Sequence, residues 1–319
     1  MHEPDSHEVP IARPEEQPDL PTQAVNAIED LSGVHPGYRR AHAKGTCCRA
    51  FFRPSGLASP FTAAPHLQED QINAIVRFSG SSTDPALADL LSPAKGMAVQ
   101  FSLPDGSVTS LVGVTVPVFF ARTPQSFLEI TRAAHHAQVS GLGVLDLIKE
   151  ITIHFKESKE SFLAIKQLQP PASYAESRYF CIHAYYFVDQ EGIHRPVKFE
   201  WVPESGVRTF TVKEAQQQPD NYLEEDLELR FKDEPAIFQL VAVFGQEGDP
   251  TDDPTRAWPD DRERIDLGRL HVSEIINEPE GLIMDPTAIP AGMALSEDLI
   301  LHFRHAAYAE SFSRRQNGR

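Results

Sequence analysis

The sequence predicts an α+β fold: an eight-stranded antiparallel β-barrel carrying helical insertions. Three observations lead there. Short runs of apolar and β-branched residues alternate with turn residues over much of the chain, a helical stretch interrupts them once, and a long amphipathic segment closes the sequence. The first strands are read at residues 74–78, 97–101, 108–112 and 117–121, with the turn Pro104-Asp105-Gly106 joining the second and third as a hairpin. Helical periodicity holds from 125 to about 169, where Lys149-Glu150 and Lys156-Glu157 mark the solvated side. Strands return at 179–188 and 194–201 around Asp189-Gln190-Glu191-Gly192, and at 227–231 and 238–244 around a turn at Asp233. Eight strands joined mostly as hairpins suit a sheet that closes on itself. The last helix is expected from Ser296, as its N-cap, to about residue 315.

Composition narrows the function classes. The 319 residues carry 46 acidic and 29 basic side chains, a formal charge of −17, which repels phosphate backbones and argues against a nucleic-acid partner. No apolar run reaches the roughly 18 residues of a membrane span. The first 21 residues hold six acids and five prolines and lack the basic start and apolar stretch of a secretory signal, so a cytoplasmic location is expected. Residues 1–30 read as an acidic, proline-rich arm or disordered tail, and residues 31–319 as one domain. Cys47, Cys48 and Cys181 show no paired metal-ligand spacing and read as reduced structural thiols. A homo-oligomer, dimer or tetramer, is the expected assembly.

The final helix carries the most chemistry. Arg304, Tyr308 and Arg315 stand at i, i+4 and i+11, which places them within about 40° of one another around the helix. A phenol flanked by guanidinium groups has its phenolate form favoured, and a phenolate is a ligand for ferric iron. Around this stripe the chain resembles the haem catalases. Arg304-His305-Ala306-Ala307-Tyr308 with Arg314-Arg315 is similar to their proximal haem-ligand segment, preceded by Asp285-Pro286 and Ile289-Pro290-Ala291-Gly292. Arg39-Arg40-Ala41-His42-Ala43-Lys44-Gly45 resembles their distal-histidine motif. Val76-Arg77-Phe78-Ser79, residues 94–98, Val112-Gly113 with Pro117-Val118-Phe119-Phe120, and residues 252–259 follow in family order, so that the resemblance covers about residues 35 to 316.

The resemblance implies haem b, an iron porphyrin, as cofactor, with Tyr308 as the proximal iron ligand. It implies His42 as the distal general acid-base in heterolytic cleavage of the O–O bond, and Ser79 as the group that orients its imidazole. Arg304 would hold the phenolate, with Asp298 and His183 continuing that network. Arg39 and Arg315 would pair the haem propionates, a task suited to planar guanidinium. Phe119, Phe127 and Met284 would line the haem pocket.

Two departures bear on the reaction. Catalases keep an asparagine at the position of Val114, whose side chain donates no hydrogen bond. Thr115 is the residue expected to substitute in part. The sequence also ends eleven residues after Tyr308, whereas large catalases continue into a wrapping segment and C-terminal helical domains; neither is expected here, and the haem should be easier to reach. The nicotinamide site of some catalases is built partly from those later segments and is not assigned. Both departures imply the small catalase-related peroxidases, in which hydrogen peroxide or an organic hydroperoxide is reduced while a small organic donor is oxidised, with weak catalase activity. A donor-independent dehydratase or isomerase of lipid hydroperoxides is the alternative enzyme. A haem sensor or carrier is the non-enzymatic alternative, against which the oriented distal base argues.

Overall fold

The computed structural model describes residues 18–68, 70–92 and 94–318. In chain order the helices and strands are α1 (Leu20–Ser32), β1 (Gly45–Pro54), β2 (Ile72–Gly80), β3 (Lys95–Ser102), β4 (Val108–Val114), α2 (Pro124–Val139), α3 (Val144–His154), α4 (Lys159–Gln167), β5 (Tyr179–Val188), β6 (His194–Pro203), α5 (Val212–Ala215), α6 (Tyr222–Arg230), β7 (Ala236–Phe244), β8 (Arg264–Ile276), β9 (Met293–Leu295) and α7 (Leu299–Gln316). Neighbours pair antiparallel in the order β4-β3-β2-β1-β8-β7-β6-β5, and Val114 opposite Phe180 closes the ring of eight. The short β9 adds to β5 at Tyr185–Phe187, beyond that closing contact. Among the described residues no helix is long and apolar enough to cross a membrane.

Strand period sets which side chains go where. On β2, Ile72, Ala74, Val76 and Phe78 fill the barrel with Phe52, Phe101, Tyr179, Phe199, Trp201 and Phe238, all buried. The intervening Ile75, Arg77 and Ser79 therefore stand on the outer wall, and it is this wall, not the barrel interior, that carries the candidate site. Irregularities serve the same end. The β5–β6 register shifts between Cys181 and Tyr185, so three residues of β5 face one of β6, and His183 is the middle one. Such a bulge re-aims a side chain that a regular strand would place elsewhere.

Several expectations are corrected here. The arm read over residues 1–30 lies outside the described residues up to 17, but from Leu20 the chain is helical. Asp19 caps α1 by accepting from the Thr22 amide at 3.1 Å, and Pro21 sits in its first turn, so these two residues are helix-start signals. Ala24, Val25 and Ala27 are buried, and Glu29 pairs with Arg40 at 2.5 Å and with Arg314 of α7 at 2.6 Å. Residues 117–121 form an irregular loop rather than a strand, with the Phe119 amide donating to Pro254 O. Residues 227–231 fall in and after α6: Leu223 and Leu227, one helical turn apart, are buried while Leu229 is exposed. The two barrel strands that the sequence did not predict are β1 and β8, and the short β9 was not predicted either. In β8 the alternation breaks at Gly268, which has φ of 136° and whose missing Cβ leaves room for Arg53 O. The N-cap of α7 is Asp298, not Ser296.

All three cysteines are buried and unpaired. Burial pushes the Cys47 thiol up to about 11, and raises the other two as well, which keeps them protonated.

Candidate active site

The distal side is built on the outer wall where β1, β2 and β3 meet. His42 precedes β1 with φ of 53°, a left-handed conformation that a side chain with a Cβ adopts at a cost. Arg77 holds that backbone in place: its Nη1 donates to His42 O at 3.0 Å and its Nη2 to Ala43 O at 3.1 Å. Gly45 is required for this, because a Cβ there would lie 2.5 Å from the Arg77 guanidinium carbon. Ser79, two residues after Arg77 on the same face, meets His42 Nδ1 through its hydroxyl at 3.0 Å. Removal from water pushes the His42 imidazole down to about 4, with Arg77, Arg304 and Arg39 adding to the effect. It is therefore neutral at pH 7. With Nδ1–H directed at Ser79, Nε2 keeps its lone pair.

The proximal side is a chain of polar groups running into α7. Asp298 does two things at once: Oδ1 caps the helix, accepting from the Ile300 and Leu301 amides at 2.8 and 3.2 Å, and Oδ2 meets His183 Nδ1 at 2.6 Å. Arg304 Nη1 donates to His183 Nε2 at 2.8 Å, which fixes the histidine as the Nδ1–H tautomer, and Arg304 Nη2 donates to the Tyr308 hydroxyl oxygen at 2.5 Å. Burial pushes the His183 imidazole below its ordinary range despite the hydrogen bond to Asp298, so it is neutral as this chain requires. Burial also works against the charge of Arg304, and its attraction to and hydrogen bond with the Tyr308 oxygen outweigh it.

A third group of residues lies at the rim. Arg39, Arg77 and Arg315 line a cavity of about 400 Å³ together with Glu278 and Gly45. Arg39 Nε is buried there without a hydrogen-bond partner. Buried donors need acceptors, so this orphan, beside two further guanidiniums, marks an anion site. The residues present thus fit an iron porphyrin with two carboxylates: an oxygen donor on one side, an oriented base on the other, and cations at the edge.

The structure brings the sequence-predicted residues together with some changes of detail. His42 with Ser79, and Asp298, His183, Arg304 and Tyr308, form the two networks just described. Arg315 shares the stripe with Tyr308 but reaches the rim and not the phenol. Met284 is buried with Cys47, Leu282 and Ile75 against the outer wall. Phe119 and Phe127 stack at 6.2 Å, and Phe127 meets Phe303 of α7 at 6.3 Å. Val114 pairs with Gly96, whose Cα faces His42 and Ser79. The Thr115 hydroxyl oxygen accepts from the Lys95 amide at 3.0 Å, so it is tied to the strand end. Sequence reasoning missed Arg77, although it lies in a quoted motif. A charged residue between Val76 and Phe78 in an apolar strand was the available signal. It also missed Gly96 and Glu278.

Comparison with known proteins agrees with this geometry. The family model described as Catalase matches residues 36–318. The chain is 32% identical over 302 residues to a catalase-related peroxidase of Synechococcus elongatus, covering 93% of this chain and 89% of the relative. It is 30% identical over 295 residues to a catalase-related peroxidase of Mycolicibacterium paratuberculosis, covering 91% and 93%. Catalase isozyme 2 of Solanum tuberosum is 29% identical, and there the chain spans 59% of the relative's length. Among solved structures, catalase A from Saccharomyces cerevisiae superposes with a TM-score of 0.76 at 18% identity, over 87% of this chain and 61% of that one. A fungal catalase superposes at 0.78 and 18% identity, over 99% and 66%. These structural likenesses show the fold.

Proposed function

Because the chain belongs to the catalase family and is an oxidoreductase acting on peroxide, we propose that it works chiefly as a peroxidase, reducing hydrogen peroxide or an organic hydroperoxide and oxidising a small organic donor. The observation that carries this reading is the pairing of two networks across one site: a neutral, oriented His42 on one side and the Arg304–Tyr308 oxygen on the other, close enough that Arg304 acts on the charge of His42. Haem b, when bound, supplies the redox-active iron at which peroxide is reduced. Tyr308 would hold it through its hydroxyl oxygen, to which Arg304 donates, and Arg39, Arg77 and Arg315 would hold its carboxylates.

The chain's own contribution is proton handling. His42 Nε2 takes the proton of the bound hydroperoxide oxygen and returns it to the oxygen that leaves as water or alcohol, while Ser79 keeps the ring in one orientation. The fully hydrogen-bonded Asp298–His183–Arg304 chain locks in place the guanidinium that holds the Tyr308 oxygen. That the two relatives covered nearly end to end are catalase-related peroxidases favours a peroxidase balance, and so does Val114. Its isopropyl group lies across from Gly96 at the His42 wall and donates no hydrogen bond to a second peroxide. The electrons used in the first reduction are then drawn from the donor more than from that second peroxide.

Restoring an amide tests this. One hydrogen bond to a charged group is worth roughly 1.5 to 3 kcal/mol, or about ten- to a hundredfold in the step that needs it. Val114→Asn should raise oxygen evolution from saturating hydrogen peroxide by about that factor while oxidation of a phenolic donor changes less. A parent protein that evolves oxygen without oxidising the donor, or a Val114→Asn variant with both rates unchanged, overturns the peroxidase reading.

A further inference from the structure

The rim cations share a single protein carboxylate, and its place there calls for a reason. Arg39 Nη2 and Arg315 Nη1 meet Glu278 Oε1 at 2.8 and 2.6 Å, and Arg77 Nε meets Oε2 at 3.3 Å. Arg39 and Arg315 also both donate to Leu282 O, each at 3.2 Å. The Glu278 carboxylate and the Leu282 carbonyl therefore form a pair of acceptors. They draw in one guanidinium from the segment before β1, one from the outer wall of β2 and one from α7. Removal from water disfavours the Glu278 anion, but Arg39, Arg77 and Arg315 outweigh this and hold the carboxyl below its usual range.

Three cations against one anion leave two positive charges for the two carboxylates of a porphyrin, and the buried, unpartnered Nε of Arg39 points to such a ligand. Yet Glu278 is itself an anion inside an anion site. Resting on the haem reading above, we propose that Glu278 is a positioning residue with two opposed effects: it assembles the three arginines, and its charge moderates their grip on the cofactor's carboxylates. Without that charge the guanidiniums repel one another, so the porphyrin-free chain loses stability. A porphyrin already seated meets three uncompensated cations and leaves more slowly. A glutamate with a merely structural role would weaken both.

The test compares holoprotein of the parent, Glu278→Gln and Glu280→Gln, the last removing a carboxylate on the same cavity lip that forms none of these ion pairs. Haem transfer to excess apomyoglobin is followed by absorbance. Glu278→Gln should release haem about tenfold more slowly, the effect of removing one like charge from a half-wet anion site, and Glu280→Gln within about twofold of the parent. Reconstitution with haem dimethyl ester, which lacks the two carboxylates, should abolish the difference, and the porphyrin-free Glu278→Gln chain should melt below the parent. Should Glu278→Gln yield no folded holoprotein, Glu278→Asp, which withdraws the charge from Arg77 by one methylene, should show the same sign at smaller size. Unchanged or faster release, or equal slowing with the dimethyl ester or in Glu280→Gln, overturns the proposal alone. A parent that takes up no haem overturns it together with the proposed function.

Discussion

Gly96→Ala is a single methyl added at a residue that does no chemistry, and it should disable the distal base. Gly96 lies outside the left-handed region, so alanine suits its backbone and only space is at issue. A Cβ there would stand 2.7 Å from Ser79 Oγ, 2.9 Å from His42 Nδ1 and 3.0 Å from His42 Cε1. Comfortable contacts begin near 3.4 Å, so the pair must retreat by roughly 0.4 to 0.7 Å. The strands cannot supply that movement, because Gly96 and Ser79 are direct cross-strand partners and Gly96 also pairs with Val114. The side chains must turn instead, which breaks the 3.0 Å hydrogen bond that orients the imidazole. That bond is worth about 1 kcal/mol, and a displacement of this order at a reacting group costs up to about 10²-fold in rate. Peroxide reduction per bound haem should therefore fall between about ten- and a hundredfold, with a melting temperature a few degrees lower from overpacking. The assay is initial peroxide consumption in the presence of a phenolic donor, normalised to haem content. A variant that keeps its haem and reduces peroxide within about twofold of the parent refutes the placement of His42 and Ser79 as one working pair.

Further predictions follow from the same geometry. His42→Ala should retain haem and slow peroxide reduction by about 10² to 10⁴, the usual weight of a positioned acid-base group; in the parent, this activity should be flat at neutral pH and half lost near pH 4, where His42 takes up its proton. The same depressed value, with that of buried His66 pushed down to about 3, means the unfolded chain binds more protons, so stability should be lost as pH falls from about 6.5 through these values, measurable as acid shifts in the melting temperature. Tyr308→Phe removes the oxygen that Arg304 holds, and should either release haem or change its spectrum; retention with an unchanged spectrum refutes Tyr308 as the ligand.

Most of the candidate site residues were readable in the sequence because they sit in short local segments. Arg304 and Tyr308 share a helical stripe whatever the rest of the chain does, whereas Arg77, on the same face of β2 as Ser79, was missed because its partners lie in the segment before β1 and at Glu278. Long hairpins such as β3–β4 were legible for the same reason: alternation and a Gly106 turn are local signals. Elements whose pattern is set by distant partners were not. Leu227, Leu229 and Phe231 alternate like a strand, yet α6 is chosen because Leu223 and Leu227 are covered by the barrel. Strand β8 lost its alternation at Gly268, where close approach to Arg53 and Pro54 of β1 decides the residue. The acids and prolines around Asp19 read as a tail until α2 and α7 supplied a surface for α1 to pack on.

What the sequence determined by itself was therefore the barrel class, the final helix and the stripe that carries Arg304 and Tyr308, since each rests on periodicity or on neighbours within a few residues. Only the tertiary structure decided the rest. It set Asp298 as both helix cap and histidine anchor, turned His183 outward on a bulge, and made Gly96 a spatial necessity. It also gathered Arg39, Arg77 and Arg315 around Glu278 across some 240 residues of chain. The physical reason is that charge pairing and steric exclusion act over ångströms in space, and residues far apart in sequence acquire those distances only when the ring of strands closes.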